Sequence, residues 1–379
     1  MNTYHSRRQF LKYAMLGLGG LAVPQVCFSV PQALNKNLQF IKEFNIDIPV
    51  GCSIRVVAQS SKVVTHNNSF LWHGAPDGGA CFPSEDNGWI YVSNCENENK
   101  GGGVGAIRFD SKGEIVDAYS ILNNTSRNCA GGKTPWNTWL SCEENGDAGQ
   151  VYECDPEGNQ KAIVLPLMGS FNHEAVAVDP KTHYCYMTED VKDGCLYRFK
   201  PESKNDLSKG VLEVAVADKN ILSWEKIADP LAKTKPTRYQ LEEAARFKGG
   251  EGIVYHDGKV SFTTKKDNVV WQFHIDTGLI TKLYDAADYN QPLLTGVDNI
   301  DVAPSGELLI AEDGGNMQIV ALDNNYKPHV LVQIYGQDRS EITGPAFSPD
   351  GKRLYFSSQR GKTGKSQDGL TYELTFDGN

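Results

Sequence analysis

From Glu174 to the C-terminus the chain is written in short runs of alternating, β-branched and aromatic residues, broken by Asp-Gly, Pro-Asp and Ser-Gly turns. That texture predicts short antiparallel strands. The runs also repeat. Residues 174–180, 184–190 and 194–199 form one unit, and the same order of an acidic start, a strand, a turn and two further strands returns at 251–257, 259–264 and 268–273. It returns again at 298–304, 307–313 and 317–322, and a fourth time from Thr343 through 347–351 and 354–357 to 370–374. Weaker copies stand upstream at 79–82 with 89–92, and at 134–136 with 138–142. Six small sheets that cannot each bury both faces pack radially, so the pattern predicts an all-β, six-bladed β-propeller rather than a stacked β-sandwich. One stretch departs from the pattern. Residues 201–250 are too long for a blade-to-blade loop, and Leu241-Glu242-Glu243-Ala244-Ala245 favours a helix over 239–247. A partly helical excursion over one face of the propeller is expected there.

Composition narrows the function. With 40% hydrophobic residues the chain can bury a sizeable core, and a net charge of −10 without a basic stripe argues against a nucleic-acid partner. Near Met1, residues Ser6-Arg7-Arg8-Gln9-Phe10-Leu11-Lys12 form a twin-arginine export string followed by a weakly apolar run from Ala14 to Val23. That run is shorter than the ~20 residues that span a bilayer, which predicts a cleaved signal rather than stable membrane insertion. The expected organisation is a signal over 1–30, recognised by the twin-arginine export machinery, and a single catalytic propeller over 31–379. The expected location is periplasmic or secreted, and the mature protein is expected to be a monomer. This route carries folded proteins, so a site loaded with metal before export fits it. Cys142, Cys154, Cys185 and Cys195 read as buried small hydrophobes, whereas Cys129 lies in the loop-like string Asn128-Cys129-Ala130-Gly131-Gly132.

The acidic residues fall in register. Glu174, Glu251 and Asp298 open the inner runs of three copies, with Thr343 in the fourth. A second register, about fifteen residues later, holds Glu189-Asp190, Asp267 and Glu312-Asp313, joined upstream by Asn94-Cys95-Glu96 and Glu143-Glu144. A lone carboxylate at a strand end is most often a solvated turn residue. Radial repetition instead directs many of them to one end of the channel, where they cannot all ionise without cations. Oxygen donors at that density favour Ca2+, and a Cys129 thiolate beside them points to a softer ion such as iron.

The strings from Asn128 to Gly132 and Thr134 to Asn145, with His173-Glu174-Ala175 and Glu189-Asp190, together resemble the PhoX-type alkaline phosphatase family; Pro76-Asp77-Gly78 and Asn94-Cys95-Glu96 resemble its N-terminal blade. The resemblance implies a small-molecule phosphate ester substrate and a channel holding Fe3+ and several Ca2+. It implies Cys129, Glu174 and Glu251 as iron ligands, with Glu144, Asp190, Glu312 and Asp313 serving calcium or the edge of the cluster. The registers add Glu96, Glu143 and Asp298 to the expected metal set. One position departs from the family pattern. Gly249 stands two residues before Glu251, where the family carries a phosphate-binding Arg, and Arg246 or Lys248 is the expected substitute.

The expected chemistry is metal-assisted hydrolysis of a phosphate ester. Glu251, Arg246, Lys248 and His173 are the candidate catalytic residues. No Gly-x-Ser-x-Gly elbow or P-loop is present to support a serine nucleophile or an NTPase. Two alternatives remain open on the sequence: a calcium-dependent lactonase or esterase propeller, and a non-catalytic metal-binding propeller that has lost the arginine.

Overall fold

In the computed structural model, which describes residues 37–376, the strands form six antiparallel sheets arranged as the blades of a β-propeller. The twin-arginine string lies outside the described residues. The inner strands Pro76–Pro83, Asn128–Lys133, His173–Val178, Gly250–His256, Val297–Val302 and Ile342–Phe347 touch one another in that order, and the sixth returns to the first. Each blade then runs outward through strands in sequence order. Two segments from before the first blade complete the circle. Cys52–Gln59 pairs with Leu370–Phe376 as the outer strand of the sixth blade, and Ile46–Pro49 extends the fifth through Pro328–Ile334. The ring is thereby closed by pairing between an early and a late segment of the described chain, which covers the outer edge that Leu370–Phe376 would otherwise expose.

Strand alternation supplies the core. Residues facing a neighbouring blade are apolar, as where Phe82, Ile90 and Val104 of the first blade meet Trp139 and Cys154 of the second. Full burial of side chains of this size stabilises by about 1.5–3 kcal/mol each. Cys142, Cys154, Cys185 and Cys195 are buried thiols within these layers, as their strand positions predicted.

The helix expected over 239–247 does not form. Among the described residues there is no α-helix, only short 3-10 turns, one of them at Thr237–Tyr239. Leu241 to Ala245 are held instead by the third blade: Ala244 bridges Val216, the Ala245 amide donates to the Ala215 carbonyl at 2.8 Å, and Phe247 bridges Gly194. Those tertiary bonds outweigh a helix propensity worth only tenths of a kcal/mol per residue. The first part of the expected excursion is likewise β structure, since Asp206–Asp218 and Ile221–Lys226 make the third blade five-stranded.

All six inner strands share one irregularity. Each register breaks near its start, after the first residue in five blades and after the second in the sixth: between Pro76 and Gly79, Asn128 and Gly131, His173 and Val176, Gly250 and Ile253, Val297 and Ile300, and Thr343 and Ala346. A β-bulge re-aims a side chain and sharpens local twist. Here it does so six times around one mouth of the channel.

Candidate metal centre

The bulges carry Asp77, Cys129, Glu174, Glu251 and Asp298 in five blades; in the sixth, Thr343 takes the corresponding place just before the break and keeps its pairing with Ser357. The residue that follows is small in five blades: Gly78, Ala130, Ala175, Gly252 and Gly344, with Asn299 in the fifth blade, and these line a narrow cavity along the axis. Size matters there, because a Cβ on Gly78 would lie 2.6 Å from the Ala130 Cα and one on Gly252 2.5 Å from the Ile300 nitrogen. Hydroxyls of the second strands secure the bulged backbone. Thr188 donates to the Glu251 carbonyl and Thr263 to the Asp298 carbonyl, each at 2.5 Å, while Thr343 ties the sixth blade to the Pro76 carbonyl at 2.8 Å.

The second strands supply another circle. Each ends in a pair: Cys95-Glu96, Glu143-Glu144, Glu189-Asp190, Thr264-Lys265, Glu312-Asp313 and Ser358-Gln359. Consecutive strand residues face opposite ways, and the pairs divide their work accordingly. The first members brace the scaffold. Glu143 accepts the Ser126 amide at 2.9 Å; Glu189 accepts the Cys195 amide and the Tyr197 hydroxyl, both at 3.0 Å; Glu312 accepts the amides of Thr295 at 2.9 Å and Gly296 at 3.2 Å. The second members meet the bulge residues.

Three groups result whose donor atoms lie within 4.8 Å of one another: Glu96, Cys129 and Glu144; Glu174, Glu251 and Asp298; and Asp298, Asp313 and Glu341. Glu174 is 1% exposed, and neither of its carboxylate oxygens has a hydrogen-bond partner; a buried oxygen of Asp190 and one of Glu251 are also without one. Burial, and then the charges of Glu251 and Asp298, push the Glu174 carboxyl well above its ordinary value. Burial also raises the Cys129 thiol, with Asp77 and Glu174 adding to it, and Glu144 is pushed up to about 7. The thiol donates to Asp77 at 3.7 Å. Burial and mutual repulsion favour the protonated forms of these groups unless a cation meets them; an oxygen-rich set with one thiol suits hard ions and one softer ion.

Most of the expected ligands come together: Cys129, Glu174, Glu251, Asp298, Glu96, Glu144, Asp190 and Asp313 all contribute to this centre or border it. Glu143 and Glu312 do not, because strand alternation turns them toward backbone amides. Asp267, also placed in the acidic register, accepts instead from the Thr264 hydroxyl at 2.6 Å. His173 is no substrate contact. Its ring is buried against Phe171 with centroids 3.5 Å apart, its Nε2 lies 3.0 Å from the Gly169 carbonyl oxygen, and burial lowers its pKa to about 3. Arg246 is anchored away from the carboxylates, donating to the Asp193 carbonyl at 3.2 Å and to the Cys195 sulfur at 3.0 Å. Lys248 is exposed, and its backbone carbonyl accepts the Lys266 amide. The Gly249 departure has a backbone reason: its φ is +68°, and a Cβ there would stand 3.0 Å from Asp190 Oδ1.

Sequence reasoning missed Asp77 as a bulge residue, and with it Lys265, Glu341, Gln359 and Arg360. Lys265 places its ammonium 2.7 Å from Asp298, 3.0 Å from Asp313 and 3.4 Å from Glu251. Arg360 bridges Glu341 at 2.5 Å and Glu96 at 3.2 Å, and Gln359 donates to Asp77 and Glu96. A signal for Asp77 and Cys129 was present: Asp77-Gly78 and Cys129-Ala130 match Glu174-Ala175 and Glu251-Gly252 as a donor followed by a small residue.

The fold and centre define a six-bladed propeller whose channel mouth gathers buried carboxylates and a thiol. Its family follows from the sequence itself, since the profile of the alkaline phosphatase PhoX family matches residues 97–267 and 245–361. The chain belongs to that family. Among solved structures, PhoX of Pseudomonas fluorescens in complex with vanadate, a transition state analogue, superposes with a TM-score of 0.75 at 16% identity, over 88% of this chain and 96% of that one. A protein of unknown function from Bacteroides thetaiotaomicron gives 0.54 at 11% identity over 85% and 75%. The gluconolactonase XC5397 of Xanthomonas campestris gives 0.52 at 10% identity over 86% and 89%. At these identities the likenesses speak for the propeller fold alone. No curated protein matches the chain.

Proposed function

We propose that the chain is an exported, metal-dependent phosphoric ester hydrolase that uses Ca2+ and Fe3+ in the channel mouth to cleave small phosphate esters. The observation that carries this reading is Glu174, a fully buried carboxylate with two unpartnered oxygens among other acidic groups. An ionised carboxylate so placed costs several kcal/mol unless a cation meets it. The thiol-containing group of Glu96, Cys129 and Glu144 would hold the iron, and Glu174 with Asp190 the harder ions. When bound, such cations neutralise phosphoryl oxygens, lower the pKa of the attacking water and stabilise the departing alkoxide.

The chain's own residues supply the rest. Arg360, with 35% of its side chain exposed beside the acidic groups, takes the phosphate-orienting role that Gly249 leaves vacant. The close-packed small residues beneath the centre keep the axis narrow, so ester and water meet at the mouth. The export string supports a periplasmic or secreted enzyme, and among the described residues no helix is long and apolar enough to cross a membrane.

Elemental analysis and a visible spectrum of the purified protein, followed by assay of p-nitrophenyl phosphate at alkaline pH with and without a calcium chelator, test this reading. Iron and calcium together, a thiolate-to-iron charge-transfer band and chelator-sensitive hydrolysis are expected. Metal-replete protein that leaves phosphate monoesters, diesters and lactones untouched would overturn it.

A further inference from the structure

One position in the second-strand circle breaks the chemistry of its neighbours. Glu96, Glu144, Asp190, Asp313 and Gln359 offer oxygens to the mouth of the channel, and Lys265 offers an ammonium in the same register. Its placement is specific. An ammonium has three donors, and three carboxylates surround this one: Asp298 at 2.7 Å, Asp313 at 3.0 Å and Glu251 at 3.4 Å. The backbone holds it there, since the Lys265 amide donates to the Gly249 carbonyl at 2.8 Å and the Lys266 amide to the Lys248 carbonyl at 3.1 Å. The side chain is 22% exposed.

The third carboxylate of the same group is also answered. Glu341 pairs with Arg360 at 2.5 Å, so Asp298, Asp313 and Glu341 each face a side-chain cation. Their donor atoms converge within 4.8 Å, the spacing that would otherwise invite a divalent ion. An ion entering there would sit in contact with an ammonium that it repels and would have to break its three ion pairs. Glu174 and Cys129 meet no such cation, and the Glu174 oxygens have no partner at all.

We propose that Lys265 is a built-in cation that takes the place of one metal ion: it closes the Asp298, Asp313 and Glu341 group to divalent cations, so that metal is confined to the side of the mouth formed by Cys129, Glu144 and Glu174, with Glu96 shared between that side and Arg360. The inference rests on reading the centre as a cation site, and it deepens that reading by setting the size of the cluster and its charge. Gly249 fits the same arrangement, because its carbonyl fixes the Lys265 backbone.

The test is anomalous diffraction from crystals of the wild-type protein soaked in Mn2+, combined with Ca2+ equilibrium dialysis of wild type, Lys265→Met and Lys265→Arg. Wild-type crystals should show metal peaks beside Glu144 and Glu174 and none between Asp298 and Asp313. Lys265→Met should bind one more Ca2+ per chain than wild type, and Lys265→Arg the same number as wild type. A wild-type peak bridging Asp298 and Asp313 overturns the inference while leaving the cation-site reading intact, and so does an unchanged Ca2+ count in a folded Lys265→Met. Wild type that binds no metal anywhere overturns both. The wild-type diffraction arm does not depend on whether Lys265→Met folds.

Discussion

The two sides of the channel mouth solve one electrostatic problem differently. On one side Asp298, Asp313 and Glu341 are paired within the chain by Lys265 and Arg360. On the other, Glu174 is buried with both oxygens bare, and Cys129 and Glu144 have only neutral or acidic hydrogen-bond partners: Asp77 for the thiol and the Asn172 amide for the carboxylate. Both sides are built from the same bulge and the same strand end. The difference is therefore one of side chains, chiefly a lysine where the other five blades place an acid or its amide relative. It teaches that a repeated scaffold can fix where charges gather while single substitutions decide whether protein or solvent cations cancel them.

The sharpest way to break this contrast is to remove one carboxylate from each side. Glu174→Gln should abolish metal binding and lower kcat/KM by more than the ~10–100-fold typical for outer partners of metal ligands. Asp313→Asn should leave the metal content per chain unchanged by elemental analysis, because its charge is met by Lys265. Equal metal loss in both variants would erase the distinction between the two sides.

A pH series on chelator-treated protein comes next. Burial first, with neighbouring carboxylates adding, raises Glu144 to about 7 and Glu341 to about 8, from the ordinary glutamate value of 4.5. Such groups hold protons in the folded state that the unfolded chain has released. The metal-free fold therefore loses stability as pH rises from about 4.5 through about 8. The melting temperature of the chelated protein should fall across that window, and the gain in Tm on adding Ca2+ should grow with pH. A chelated protein whose Tm stays flat from pH 5 to 8 would contradict the upward shifts of the Glu144 and Glu341 carboxyls.

Arg360→Lys retains the charge that meets Glu341 but loses the planar guanidinium fork on which the proposed phosphate-orienting role depends. We expect kcat/KM for a phosphate monoester to fall by about 10-fold, mostly through KM, with the same metal content. The smallest effect belongs to Arg246→Ala. Its bonds reach only the Asp193 carbonyl and the Cys195 sulfur, so stability should change by about 1 kcal/mol and kcat/KM should stay near wild type in the same assay. A large loss of activity would return Arg246 to the site.

Much of this was legible along the chain. The repeat that carries Glu174, Glu251 and Asp298 at the head of successive units predicted both the propeller and the convergence of acids, because a radial fold converts equal positions in sequence into neighbours in space. Reading failed where two adjacent acids compete for one role. Glu143 and Glu144, or Glu312 and Asp313, are indistinguishable in composition, and only the facing of the strand assigns one to the backbone and the other to the channel. It failed again at 239–247, where bridges to the third blade overrode a helical segment.

By itself, then, the sequence determined the all-β repeat, the number of blades, the circle of acidic residues and the thiol among them, since all of these are written as local pattern. The tertiary structure alone decided which acids turn inward, that His173 and Arg246 stand apart, and that Lys265 and Arg360 answer Asp298, Asp313 and Glu341 while Glu174 is left bare. The physical reason is distance. Asp77 and Gln359 hydrogen-bond across the junction of the first and last blades, and Lys265 meets Asp313 from another blade. Pairings between blades have no signature in the local pattern until the ring closes.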